Sequence, residues 1–84
     1  MSQENFVTEQ EVARIEKNAT SWVVARVMRM HGKRCGDVRV FARNNAGELV
    51  PTPAGVAIAT ERLPALAELV KKLAAAVPQE RGEE

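Results

Sequence analysis

Eighty-four residues, a single cysteine and an aromatic content of 4% make one small domain without a large-residue core. A chain of this length buries only about 60% of the surface its unfolded form exposes, so self-association is expected before any motif is read. Cys35 alone excludes an internal disulfide and a cysteine-cluster metal site, no apolar run nears the roughly 18 residues of a membrane span, and no signal-peptide pattern opens the chain. The expectation is a soluble, cytoplasmic protein without a cofactor.

The net charge of +1 conceals an uneven distribution. Residues 12–77 hold eleven Lys or Arg against five Asp or Glu, and both ends are acidic. Between 22 and 43, Arg26, Arg29, Lys33, Arg34, Arg39 and Arg43 stand against Asp37 alone. A basic middle with acidic ends suggests a body that binds polyanions, with solvating tails.

In chain order, residues 1–10 are polar and are expected to form a flexible segment. Thr8-Glu-Gln-Glu11 has the form of a capping box, which favours a short helix from Thr8. Residues 11–17 also alternate weakly, so the pattern leaves helix and strand open. Asn18 to Ser21 resembles a turn. Trp22 to His31 is a strand with two mixed faces, Trp22/Val24/Arg26/Met28/Met30 and Val23/Ala25/Val27/Arg29/His31, and its facing stays open, with a bulge as one way to switch it. Only one of Arg26 and Arg29 can share a binding surface, and Trp22 is read as core or dimer interface.

His31-Gly-Lys-Arg34 forms the next turn, leading to the stretch that organises the chain. Val38, Val40 and Ala42 alternate with Asp37, Arg39, Phe41 and Arg43, the period-two signature of a half-buried strand. Two arginines flank one ring on its polar side. Guanidinium groups neutralise phosphate while a ring stacks on a base, so Arg39, Phe41, Arg43, Lys33, Arg34 and Arg26 are the candidate nucleic-acid-binding residues. Asn44-Asn45-Ala46-Gly47 has turn chemistry. Pro51 and Pro53 interrupt the returning strand, since proline lacks the N–H a ladder needs. Val56 to Ala59 then leads into a helix that Thr60 can cap, with Glu61 in its first turn.

Leu63, Leu66, Ala67, Val70, Leu73, Ala74 and Val77 form one apolar helix stripe, widened by Leu69 and Ala76. The stripe exceeds what one small sheet covers, which implies a second copy. Residues 78–84 form a polar tail. Nothing in the pattern supports catalysis: His31 is the only histidine, Cys35 reads as a structural thiol, and Asp37 and Glu48 are single carboxylates on separate strands.

Asp37-Val38-Arg39 before an aromatic, then Gly47-Glu48-Leu49, Pro51 and Gly55-Val56-Ala57-Ile58, resembles the transcriptional positive cofactor four family of single-strand nucleic-acid-binding coactivators. Asn18 to Trp22 resembles its bacterial members, which tips residues 11–17 towards strand. The resemblance implies an α+β fold, a four-stranded curved antiparallel sheet followed by one C-terminal helix, spanning residues 11–77. It also implies a homodimer joined through helix residues such as Leu66, Leu69, Val70 and Leu73. The implied partner is single-stranded nucleic acid, DNA before RNA, in transcription regulation or DNA maintenance, with the transcription machinery as a further partner. Pro53 and Ala54 stand where the family carries basic residues, and Leu63 where it carries an aromatic. The first departure favours the alternative of a protein-interaction module that kept the fold; the second only repacks the core.

Overall fold

A computed structural model describes residues 6–78. Four strands, β1 (Phe6–Asn18), β2 (Ser21–Met30), β3 (Lys33–Arg43) and β4 (Leu49–Ala59), are followed by a 3-10 turn (Thr60–Arg62) and helix α1 (Leu63–Ala76). The strands form one antiparallel sheet in the order β1-β2-β3-β4, a meander with each strand beside its sequence neighbour. This is the expected curved sheet followed by one helix. No helix among the described residues is long and apolar enough to cross a membrane.

Each connection has a local cause. Asn18 Oδ1 accepts from the Thr20 amide at 3.0 Å and the Ser21 hydroxyl at 2.8 Å, closing the first hairpin. His31 and Gly32 both have positive φ, 53° and 80°, the requirement of a two-residue hairpin turn whose twist matches the strands. Asn44 Oδ1 accepts from the amides of Ala46 and Glu48, and Gly47 supplies the positive φ of the third turn.

The N-terminal reading needs correction. Residues 6–10 belong to β1 rather than to a flexible segment, with Val7 opposite Arg29 and Thr8 opposite Met28. The helix from Thr8 is not formed, because pairing with β2 satisfies the backbone of this stretch instead. Its weak alternation comes from bulges. Glu9, Val12 and Lys17 are extra residues at three register shifts. The bulge at Val12 puts Glu11 and Arg14 on one face, which allows their 2.7 Å ion pair across a spacing that an unbroken strand would split. These three bulges lie in β1; β2 pairs with β3 without interruption from Ser21 to Met30.

Pro51 and Pro53 interrupt the pairing as expected: residues 52–54 loop out opposite Val40, and β4 resumes at Gly55 as an edge strand. One further expectation changes. Thr60 does not cap α1: the helix starts at Leu63 behind the 3-10 turn, with Arg62 at the cap position and no side-chain cap bond. Pro64 fits the first turn, where its missing N–H has no helical acceptor to lose.

Register sorts the sheet into two faces. Trp22, Val24, Arg26, Met28 and Met30 share one face with Phe41, Arg39, Asp37, Cys35 and Lys33. Val23, Ala25 and Val27 share the other with Val38, Val40, Val56 and Ile58. The helix leaves on this apolar side, where the Leu63 side chain lies over Gly36. Beyond Leu66 it stands clear: Leu69, Val70 and Leu73 are each more than half exposed. The radius of gyration, 15.0 Å, exceeds the roughly 12 Å of a compact chain this size. Among the described residues, the buried hydrophobic side chains are those of Val24 and Met28, both on the polar face.

Gly55 is where backbone meets backbone. A Cβ there would lie 2.5 Å from the Val38 carbonyl oxygen and 2.7 Å from Arg39 Cα, at a φ of 157°. Gly36 differs, since its Cβ would meet the flexible end of Leu63. Gly55→Ala should therefore cost about 2 kcal/mol or more, and Gly36→Ala clearly less, in urea unfolding. Equal losses would show that the β3–β4 approach is not the tight point.

Candidate nucleic-acid interface

The polar face is built around Asp37, only 3% exposed on the central strand β3. Arg26 donates to its Oδ2 from Nη2 at 2.7 Å and Nε at 3.2 Å. Arg39 donates to Oδ1 from Nη2 at 2.8 Å and also engages it through Nε. Arg26 reaches further, Nη1 donating to Thr8 Oγ1 at 3.0 Å, and that hydroxyl donates to Met28 Sδ. Arg39 reaches the other way, Nη1 donating to the carbonyls of Thr52 and Pro53 at 3.2 Å each.

Burial raises the Asp37 pKa, but the hydrogen bonds from Arg39 and Arg26 outweigh it and hold the carboxyl below the usual range. The same contact raises Arg39. Arg39 is consequently committed to Asp37 and β4 with 20% of its side chain exposed, and Arg26 is more enclosed still, at 11%.

Two aromatic rings flank this centre. Trp22 and Phe41 are direct partners across β2 and β3. The Arg26 guanidinium lies 5.0 Å from the Phe41 centroid, and that of Arg43 lies 5.2 Å from the Trp22 centroid. The arrangements differ in freedom. Arg26 is fixed over Phe41 by Asp37, whereas exposed Arg43 is tied only to the Gly47 carbonyl among the described residues. Trp22 is therefore the ring whose face a ligand uncovers more readily. A depression of about 540 Å³ continues the strip, with Met28 and Met30 along one part and Pro51 and Pro53 along another.

Of the residues expected from sequence, Arg26, Lys33, Arg39, Phe41 and Arg43 come together on this face. Arg34 does not. It pairs with Arg29 on the opposite face, and Glu9 holds both, at 2.7 and 2.8 Å. Those contacts, Arg34 first, lower the Glu9 pKa. Trp22, read as core or dimer interface, is half-buried and stands beside Phe41, because register gives it the polar face. Asp37, a single carboxylate in the sequence, is here the anchor of two arginines. Its available signal was the i, i+2 spacing to Arg39, which puts both on one side of a strand. Cys35 is half-buried, its thiol 3.3 Å from Met30 Sδ.

No protein-family model and no curated protein matches the chain. Two solved structures do, the tetragonal and orthorhombic crystal forms of a PC4 homolog from Burkholderia pseudomallei. The first is 26% identical, covers 77% of this chain and 96% of its own, and superposes with a TM-score of 0.72. The second is 24% identical, covers 84% and 95%, and gives 0.75. The chain has the PC4-like fold. The resemblance read from the Asp37-Val38-Arg39 and Gly55 motifs holds at that level. Within the PC4-like sheet, Asp37 and Arg39 lie at the centre of β3, and Gly55 lies where β4 comes closest to it.

Asp37 gives a pH-dependent prediction. Its folded pKa is depressed, so its contribution is fully present above the unfolded value of about 3.9 and is lost as pH falls through the folded pKa. Asp37→Asn should lower unfolding stability by about 3 kcal/mol near neutral pH, with the gap from the parent closing below about pH 4. Urea titrations across that range test this; a gap constant with pH would assign the loss to packing.

Proposed function

We propose that this chain is a single-strand nucleic-acid-binding protein that works as a homodimer, tolerant of sequence and favouring DNA over RNA. The observation that carries the reading is the Trp22–Phe41 pair, two rings in register on one face, each with a guanidinium within about 5 Å. A base stacks on an aromatic face whatever its identity, and an adjacent cation neutralises its phosphate. Trp22 serves as the main platform, because Arg43 can swing from ring to phosphate. Phe41 and Arg26 form a fixed floor, and Lys33 and Arg43 supply the accessible charge. The PC4-like fold supports the same reading, as does the basic span 22–43. A role in transcription regulation or DNA maintenance follows from the family likeness, with contact to the transcription machinery as an extension. The role is binding rather than catalysis.

The homodimer rests on a separate argument. One chain leaves Val7, Ile15 and Val56 exposed together with Leu69, Val70, Leu73 and Val77 of the helix. An apolar sheet face and helix of this extent favour a second copy laid against them. The commitment of Arg26 and Arg39 to Asp37, with Pro53 and Ala54 in place of basic residues, favours the second reading, an interaction module without strong nucleic-acid binding.

Titration with labelled single- and double-stranded oligonucleotides decides between them. Trp22→Ala should weaken single-strand binding by about 1–3 kcal/mol with the salt slope unchanged, and Lys33→Ala should flatten that slope by about 0.7. Duplex binding should be weak throughout. A parent protein indifferent to salt and a Trp22→Ala variant that binds as well would leave the interaction module standing.

Assembly is tested by light scattering. Twice the 9.2 kDa chain mass is expected at micromolar concentration, falling to a single chain or to unfolded protein in Leu69→Glu, because a buried carboxylate without a partner is costly. A single-chain mass for the parent would reject the dimer.

A further inference from the structure

The fold contains one carboxylate between two arginines twice, and the two sets differ in burial. Asp37 is 3% exposed, while the Glu9 side chain is 26% exposed and its partners Arg29 and Arg34 are 39% and 63% exposed. Glu9 is the extra residue of the first β1 bulge. Arg29 and Arg34 are direct cross-strand partners beside the His31-Gly32 turn, on the face opposite Trp22 and Phe41.

Glu9 engages only their Nε atoms, and Arg29 Nη1 donates to the Gly32 carbonyl at 3.1 Å. Among the described residues, Nη2 of Arg29 and both Nη atoms of Arg34 donate to nothing. Two adjacent guanidinium groups with open donors match the geometry of phosphate recognition. An exposed carboxylate adds little to stability and is screened by salt, so a polyanion that releases counterions on binding can displace it. Lys33 marks the route, since it lies on the Trp22 face one residue before Arg34.

We propose that Arg29 and Arg34 form a second phosphate-binding site on the back of the β2–β3 hairpin, closed by Glu9 in the free protein and opened when a strand leaving the Trp22 face past Lys33 displaces that carboxylate. The site rests on the single-strand reading above. It makes binding depend on strand length: a short oligonucleotide stays on the front face, and a longer one turns the hairpin end and exchanges Glu9 for phosphate.

The test compares oligonucleotides of about 4 and about 16 nucleotides, the span of site sizes for single-strand-binding folds, against the parent, Glu9→Gln, Arg34→Ala, the double variant and Glu68→Gln. Glu9→Gln should bind the long strand roughly threefold to tenfold more tightly, with a steeper salt slope, and the short strand as the parent does. Arg34→Ala should remove that gain while changing the parent far less, a non-additivity that the double-mutant cycle reads directly. Glu68→Gln, an equal charge change on the helix, should leave the long strand unaffected. An equal gain from Glu68→Gln, a gain that survives Arg34→Ala, or no gain at all would overturn the site. Thermal melting of each variant separates loss of binding from loss of fold. A parent that binds no single strand removes both this site and the reading beneath it, whereas a parent that binds with Glu9→Gln indifferent removes this site alone.

Discussion

One chain of hydrogen bonds crosses all four strands, and the polar face depends on it. It runs from Thr8 on β1 through Arg26 on β2 to Asp37 and Arg39 on β3, and ends on the carbonyls of Thr52 and Pro53 on β4. A carboxylate this enclosed is tolerable only because two guanidinium groups satisfy it, and they are held straight because it is there. The β4 bulge aims two backbone carbonyls at Arg39, and Gly55 lets that strand come close enough to do so. The Arg26 position over Phe41 follows from the same anchor, its guanidinium held by two hydrogen bonds to Asp37, with the ring's attraction added to it.

This network inverts the usual layering of a small sheet. The completely buried Val24 sits on the polar face opposite Arg39, and Met28 lies further along the same face beyond Arg26. The valines of the opposite face are only partly covered, because α1 touches the sheet near Leu63 and then stands away. Ridges of arginine and aromatic side chains therefore do on one face what a hydrophobic layer does in larger domains.

The strand content, the order of elements and the helix were legible in the sequence because they follow from period-two and period-3.6 patterns and from turn residues with specific backbone requirements. Asp37, Arg39, Phe41 and Arg43 on one face of β3 followed from alternation alone. Four features were not legible. The β1 bulges shift the pattern by one residue at Glu9, Val12 and Lys17, which makes a strand look like an ambiguous helix. Lys33 and Arg34 take opposite faces because the two-residue turn starts the pairing at Lys33, two positions earlier than a turn over residues 31–34 would, so both are strand residues and alternate. The facing of Trp22 stays open in the sequence because both faces of β2 are mixed, whereas register against Phe41 assigns it. Asp37 was overlooked for a related reason: alternation assigns a side, not a depth, and the outward side of this sheet is the deeper one.

The two outer strands carry one more consequence. β1 presents a bulged edge with Glu9, Glu11 and Glu16, and β4 presents Pro51 and Pro53, neither of which can donate to a neighbour. Neither border of the sheet is a template for another strand, so open-ended ribbon growth is blocked at both ends. A protein that leaves valine and leucine uncovered on one broad side is thereby steered away from fibrils, and whatever covers that side must come down on it flat.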